Sequence, residues 1–189
     1  MRLTLSTESP DVPKHKCLAL GIFSDEKPPR SICGFIDWRL NGFISAEIKQ
    51  GRITGEFMEK VIIPFPRRIG TEILFLFGMG LLAELNYERI YASAAQIVGA
   101  VDGMLLNKFS FDLPGQNRNG LSTPNIVEAM VTGIFDYLSE DVQKLSLMTS
   151  CIVTNPAHVK EVTTGIKQFK KNVKDLGSVD ISALQNSFA

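Results

Sequence analysis

Residues 73–80 read ILFLFGMG, five apolar side chains running into Gly-Met-Gly. Successive side chains on a strand point to opposite faces, so an unbroken apolar run must be covered on both. The stretch predicts a strand over 71–77 in a sheet with helices on either side. CLALGIF at Cys17–Phe23 is a second run of this kind, and Lys108–Leu113 (KFSFDL) and Lys144–Thr154 read as further strands. Gly51–Phe65, with Pro64 and Pro66 at its exit, reads as a hairpin or extended pair.

Helical spacing fills the gaps between these runs. Ile32, Phe35, Ile36 and Leu40 recur at that spacing after Pro28-Pro29, and a short helix is expected over Phe43–Lys49. Glu88–Asn107 carries Ile90, Ala94, Ile97, Val98, Val101 and Leu105 on one face. Thr123-Pro124 opens a helix with a stripe from Ile126 to Leu138, and Asn155-Pro156 opens another lined by Val159, Val162, Ile166, Phe169 and Val173. Alternating strands and helices predict an α/β domain, a three-layer α/β/α sandwich around a mixed, largely parallel sheet. At 189 residues the chain suits one domain, expected over 1–175, followed by a weakly patterned tail over 176–189.

Twenty basic residues balance twenty acidic ones, so no long-range field gathers nucleic acid or an anionic membrane, and neither is expected as a partner. Lys160, Lys167, Lys170, Lys171 and Lys174 of the last helix read as a solvated face. Cys17, Cys33 and Cys151 are odd in number, and their spacing fits neither a zinc site nor a redox pair. His15 and His158 have no partner at ligand spacing, so no metal site or cofactor is expected. The polar, proline-broken opening is not a secretory signal and no apolar stretch is long enough to span a bilayer, which points to the cytoplasm. GxSxG, HExxH and Walker A patterns do not occur, so no catalytic residue is assigned.

Ligands of such sheets gather beyond the C-terminal strand ends, where phosphates use backbone N–H groups that glycine leaves approachable. That rule selects Ser24–Lys27, Gly78-Met79-Gly80, the loop Pro114–Ser122 and Thr154-Asn155. The candidate ligand residues are Gly78, Met79, Gly80, Pro114, Gly115, Asn117, Arg118, Asn119, Gly120 and Asn155. Pro114–Gly120, with two glycines, two asparagines and Arg118 ahead of a helix, is the better cradle. Gly78–Gly80 reads first as a tight turn.

The order CLALGIF, IDWRLNGFISAEIKQGRITGE, ILFLFGMG resembles the amino-terminal domain of the leucyl (cytosol) aminopeptidase family. There a strand leads to an "LD…L.G.L" helix, a "F.GK.GE"-like turn and a strand ending in "GLG". Ile36-Asp37, Leu40, Gly42, Arg52–Glu56 and Gly78-Met79-Gly80 stand at the matching places, with Met79 for the leucine. The resemblance implies a macro-domain-like fold. Macro domains wrap a diphosphate of ADP-ribose with a loop richer in glycine than Gln116–Leu121. The aminopeptidases' metal-binding run Asn-Thr-Asp-Ala-Glu-Gly-Arg is not found in this sequence. The resemblance therefore implies a non-catalytic domain for assembly, as a homo-oligomer or with a partner protein, or for ligand binding. The alternative is a macro-type module for a nucleotide or ADP-ribose-like, phosphate-containing small molecule. Hydrolysis of an ADP-ribose ester ranks last, because no acid/base pair is visible.

Overall fold

A computed structural model of the chain describes residues 1–12 and 15–173, together with the backbone of 180–181. Its strands are β1 (Arg2–Ser6), β2 (Cys17–Ile22), β3 (Lys60–Pro64), β4 (Ile73–Gly78), β5 (Lys108–Phe111), β6 (Thr149–Val153) and β7 (Asp180–Ile181). They form one sheet in the order β3-β4-β2-β5-β6-β1-β7. The β3–β4 pair is antiparallel and every other pair is parallel. The mixed, largely parallel sheet expected from the sequence is the one observed.

The apolar runs are covered on both faces, as their pattern requires. From β2 and β4, Cys17, Ala19, Phe75 and Phe77 pack on the side of α3 (Tyr87–Gly103), α4 (Thr123–Ser139) and α6 (Val159–Val173). Leu18, Leu20, Ile22, Leu74 and Leu76 pack on the opposite side, against Cys33 and Ile36 of α1 (Ser31–Arg39) and Ile44 and Ile48 of α2 (Phe43–Lys49). Each fully buried Leu, Ile or Phe contributes roughly 2–3 kcal/mol. The periodic stripes of α3, α4 and α6 supply the larger core: Ile90, Val98, Ile126, Ile134, Val162 and Phe169 are all buried.

Four expectations need correction. The opening segment is not merely a polar lead-in: Arg2–Ser6 is a strand, paired from Arg2–Thr149 to Ser6–Val153. Its Thr4 is buried and donates to Ser150 O at 3.2 Å, which compensates the hydroxyl. Residues 144–154 are not one strand. A short helix, α5 (Val142–Leu147), comes first, its start fixed by Asp141 accepting from the N–H groups of Gln143 and Lys144 at 2.8 and 3.2 Å. No hairpin forms over 51–65, because β3 pairs with β4 instead. Helix α3 ends at Gly103, and Leu105 turns the chain at φ 58°. Of the tail expected over 176–189, the backbone of Asp180–Ile181 lies beside β1, and 176–179 and 182–189 are outside the described residues, as are 174–175.

Candidate functional site

Parallel strands aim their C-terminal ends the same way, so the segments that follow β1, β5 and β6 meet beside the start of α1. They enclose a cleft of about 460 Å³. Thr7–Pro10 follow β1, Asp112, Leu113, Gln116 and Asn117 follow β5, and Thr154–Pro156 and His158 follow β6. Ser31, Ile32 and Phe35 of α1 form the remaining wall. The volume lies within the range that holds nucleotide-sized ligands.

Asp112 is the buried acid of this cleft, 7% exposed. Its position follows from register: Phe111 sits opposite Ala19, the Asp112 N–H donates to Ala19 O at 3.2 Å, and the carboxylate Oδ1 accepts the Gly21 N–H at 3.0 Å. Desolvation outweighs these hydrogen bonds and pushes the Asp112 carboxyl up from 3.8 to about 7. Near neutrality the group is therefore divided between a donor and an acceptor form. Cys33 lies in the first turn of α1, a place that lowers a thiol pKa when exposed. Here burial, with Asp112 and Asp37 nearby, raises it instead, and the thiol is inert. Burial likewise pushes Cys17 up to about 12. All three cysteines are buried thiols.

Of the sequence-selected residues, Asn117 and Asn155 line the cleft. Asn155 Oδ1 accepts the Ala157 N–H at 2.9 Å and so opens the turn into α6. Asn117, at φ 59°, sets its Nδ2 3.2 Å from His158 Nε2. The loop from Leu113 closes two turns, Gln116 N–H to Leu113 O and Arg118 N–H to Gly115 O. Among the described residues, the N–H groups of Asn117, Asn119 and Gly120 have no acceptor. Of the three, Asn117 lines the cleft.

The other candidates do not line the cleft. Gly78, Met79 and Gly80 spend their N–H groups on Glu59 O, Ile22 O and Gly55 O, at 2.9, 2.8 and 2.9 Å. Met79 is buried in the core, and Gly80 takes φ 74° to turn the corner. Gly115 is held at φ 72°, where a Cβ would stand 2.3 Å from Leu85 Cδ2. Pro114 packs over Gly21. Arg118 pairs with Glu26 and stacks 5.3 Å from the Phe23 ring centroid. Asn119 ties the loop to Leu85 O at 3.2 Å, and Gly120 faces open space at φ 78°.

The sequence points to the loops that carry Gln116 and Thr154 but not to those side chains, and it passes over Asp112 and the Thr7–Pro10 segment. One available signal is a polar residue standing at the end of an alternating strand, as Asp112 does in KFSFDL. The lysines of α6 that are described, at 160, 167, 170 and 171, are exposed. Among the described residues no helix is long and apolar enough to cross a membrane. Nor does any group of three or more His, Cys, Asp or Glu among them converge as a metal site.

Residues 19–143 match the family described as Cytosol aminopeptidase family, N-terminal domain. The chain belongs to this family. No curated protein matches the sequence. Among solved structures, an Oceanobacillus iheyensis macrodomain with ADP is similar at TM-score 0.72 and 9% identity, over 91% of this chain and 92% of that one. A Trypanosoma brucei macrodomain in complex with ADP matches at TM-score 0.68 and 9% identity, over 87% and 67%. A tomato leucine aminopeptidase variant matches at TM-score 0.59 and 17% identity, over 88% of this chain but 35% of its own. The fold is macro-like, and the chain spans about a third of that aminopeptidase.

Proposed function

We propose that this domain is a non-catalytic binding module of macro type that holds an ADP-like nucleotide in the cleft. One observation carries the reading: loops from separate parallel strands enclose about 460 Å³, and the N–H of Asn117, which lines that cleft, lacks an acceptor among the described residues. Backbone donors of this kind suit a diphosphate, and they leave Arg118 free to serve its ion pair with Glu26. The similarity to two macrodomain structures that contain ADP supports this choice of ligand. Asp112, Asn155 and His158 supply polar groups along the walls. Calorimetric titration of the chain with ADP and ADP-ribose tests the reading. Saturable binding supports it, and no heat or thermal stabilisation at millimolar nucleotide overturns it, because saturation far above Kd stabilises a fold by a few kcal/mol. Turnover of ADP-ribose esters would overturn the non-catalytic part.

A second reading, assembly, draws on the turn between α1 and α2. Trp38 is 68% exposed and packs against Phe35, and Phe43 is 44% exposed. Light scattering of the chain and of Trp38→Ala tests it. A concentration-independent monomer in both removes it.

A further inference from the structure

The turn between β3 and β4 reads FPRR at 65–68. The Phe65 N–H donates to Glu72 O at 2.7 Å and closes it, and Pro66 and Ile69 are buried. Phe65 stands at φ 47° and Arg68 at φ 69°. A bulky side chain at positive φ is an outlier that costs conformational free energy, and it persists only where its surroundings enforce it. Here the enforced conformation holds an apolar ring in water. Phe65 is 76% exposed, and Arg67 and Arg68 are exposed beside it. Arg68 donates to Asn41 Oδ1 at 2.9 Å, while Arg67 has no ion pair among the described residues. The turn is a knob of one aromatic ring flanked by guanidinium groups.

A groove of about 500 Å³ lies between α3 and α4. Its surface is largely apolar, with Tyr87 and Tyr91 on α3 and Ala129 and Thr132 on α4, and Glu88 and Glu128 supply its charge. It is preformed. Gly133 lets the two helices close, since a Cβ there would stand 2.4 Å from Tyr91 O, and the Tyr91 hydroxyl donates to Asp136 Oδ2 at 2.9 Å, which holds the ring. Glu128 accepts from Asn172 Nδ2 at 2.6 Å. Glu88 is exposed, and neither glutamate has an ion pair among the described residues.

Knob and groove complement each other: a phenyl ring with a cation against an apolar groove lined by two carboxylates and no cation. They do not meet within one chain. The knob adjoins the start of β4, and the groove opens by the first turns of α3, which follow its other end, with six residues or about 20 Å of strand between. We propose that this chain associates with copies of itself head to tail, Phe65 of one copy seated in the α3–α4 groove of the next and Arg67 paired with Glu88. This contact is independent of the nucleotide cleft and uses neither Trp38 nor Phe43. Two different patches make it heterologous, so copies close into a ring or add on as a chain. The buried ring supplies most of the affinity, and the charges fix its register.

Light scattering of the full chain from micromolar to millimolar concentration tests it. The average mass of wild type should rise with concentration. Phe65→Ala should weaken association at least about tenfold, as truncating an aromatic anchor does. Arg67→Glu and Glu88→Arg each set like charges across the contact and should weaken it severalfold, while Arg67→Glu with Glu88→Arg restores opposite charges and should recover affinity. A wild type that stays monomeric at millimolar chain leaves knob and groove to other occupants and overturns the proposal. Association that Phe65→Ala does not change overturns it too, and so does a double charge reversal no better than the weaker single one. Association lost in Trp38→Ala but kept in Phe65→Ala overturns the knob while leaving assembly through the turn between α1 and α2 standing. Phe65, Arg67 and Glu88 are all exposed, so these substitutions leave the fold intact, which circular dichroism checks.

Discussion

Replacing Asp112 by Asn should change how stability depends on pH, and the size of the change follows from the structure. The carboxyl is 7% exposed and burial lifts it from 3.8 to about 7. The proton is therefore held more tightly in the folded chain than in the unfolded one. Its stabilising contribution is full below about pH 3.8 and is lost as pH rises through about 7. Across that window of about 3 pH units, at roughly 1.4 kcal/mol each, wild type forfeits about 4 kcal/mol relative to a chain without the acid. The substituted amide cannot ionise, and its Oδ1 can accept the Gly21 N–H that Asp112 accepts now. Urea unfolding of wild type and Asp112→Asn at about half-unit steps from roughly pH 4 to 8.5 gives the difference directly, and other titrating groups cancel from it. The Asn variant should gain on wild type steadily up to about pH 7 and level off above it. A difference that stays constant to within about 0.5 kcal/mol would mean an acid ionised throughout, and the burial argument would be refuted.

Three further substitutions or reagents probe the frame around the cleft. Gly133→Ala places a Cβ 2.4 Å from Tyr91 O and 3.0 Å from Ala94 Cβ, so α3 and α4 must separate. It should cost about 1–3 kcal/mol in chemical denaturation. Arg118→Met strands Glu26, 8% exposed, without its cation, and should destabilise by about 3 kcal/mol. Adding Glu26→Gln should recover much of that loss, and a double-mutant cycle that adds simply would argue against coupling. Cys17, Cys33 and Cys151 are all buried, so a disulfide reagent at about pH 8 should label none of them in the native chain and all of them in denaturant. A rapidly labelled native thiol would contradict the placement of β2, α1 or β6.

The parts of the fold that can be read from the sequence are those where one residue type fills consecutive positions. ILFLFG and CLALGI need no knowledge of their neighbours, because a strand covered on both faces is apolar whichever way it turns. β1 is hidden for the opposite reason. RLTLS alternates polar and apolar, and it becomes a core strand only when Thr4 finds Ser150 O, 146 residues away. The same rule separates the cleft residues. Asn155 can be found because it caps the segment beside it, and Asn117 because it sits among glycines. Arg118 reads as a phosphate ligand because Glu26, its partner, lies far upstream. Asp112, Gln116 and Thr154 carry little local signal. Each is an ordinary polar residue at a strand end or in a loop, and it gains meaning from how much water the fold removes around it. Burial of that kind comes from the register of β5 between β2 and β6, which juxtaposes Asp112 with Gly21 and brings Thr154 to the same rim. A short motif can announce a cradle of glycines. A cleft lined by single polar residues that follow separate parallel strands becomes legible only once the strand order is known.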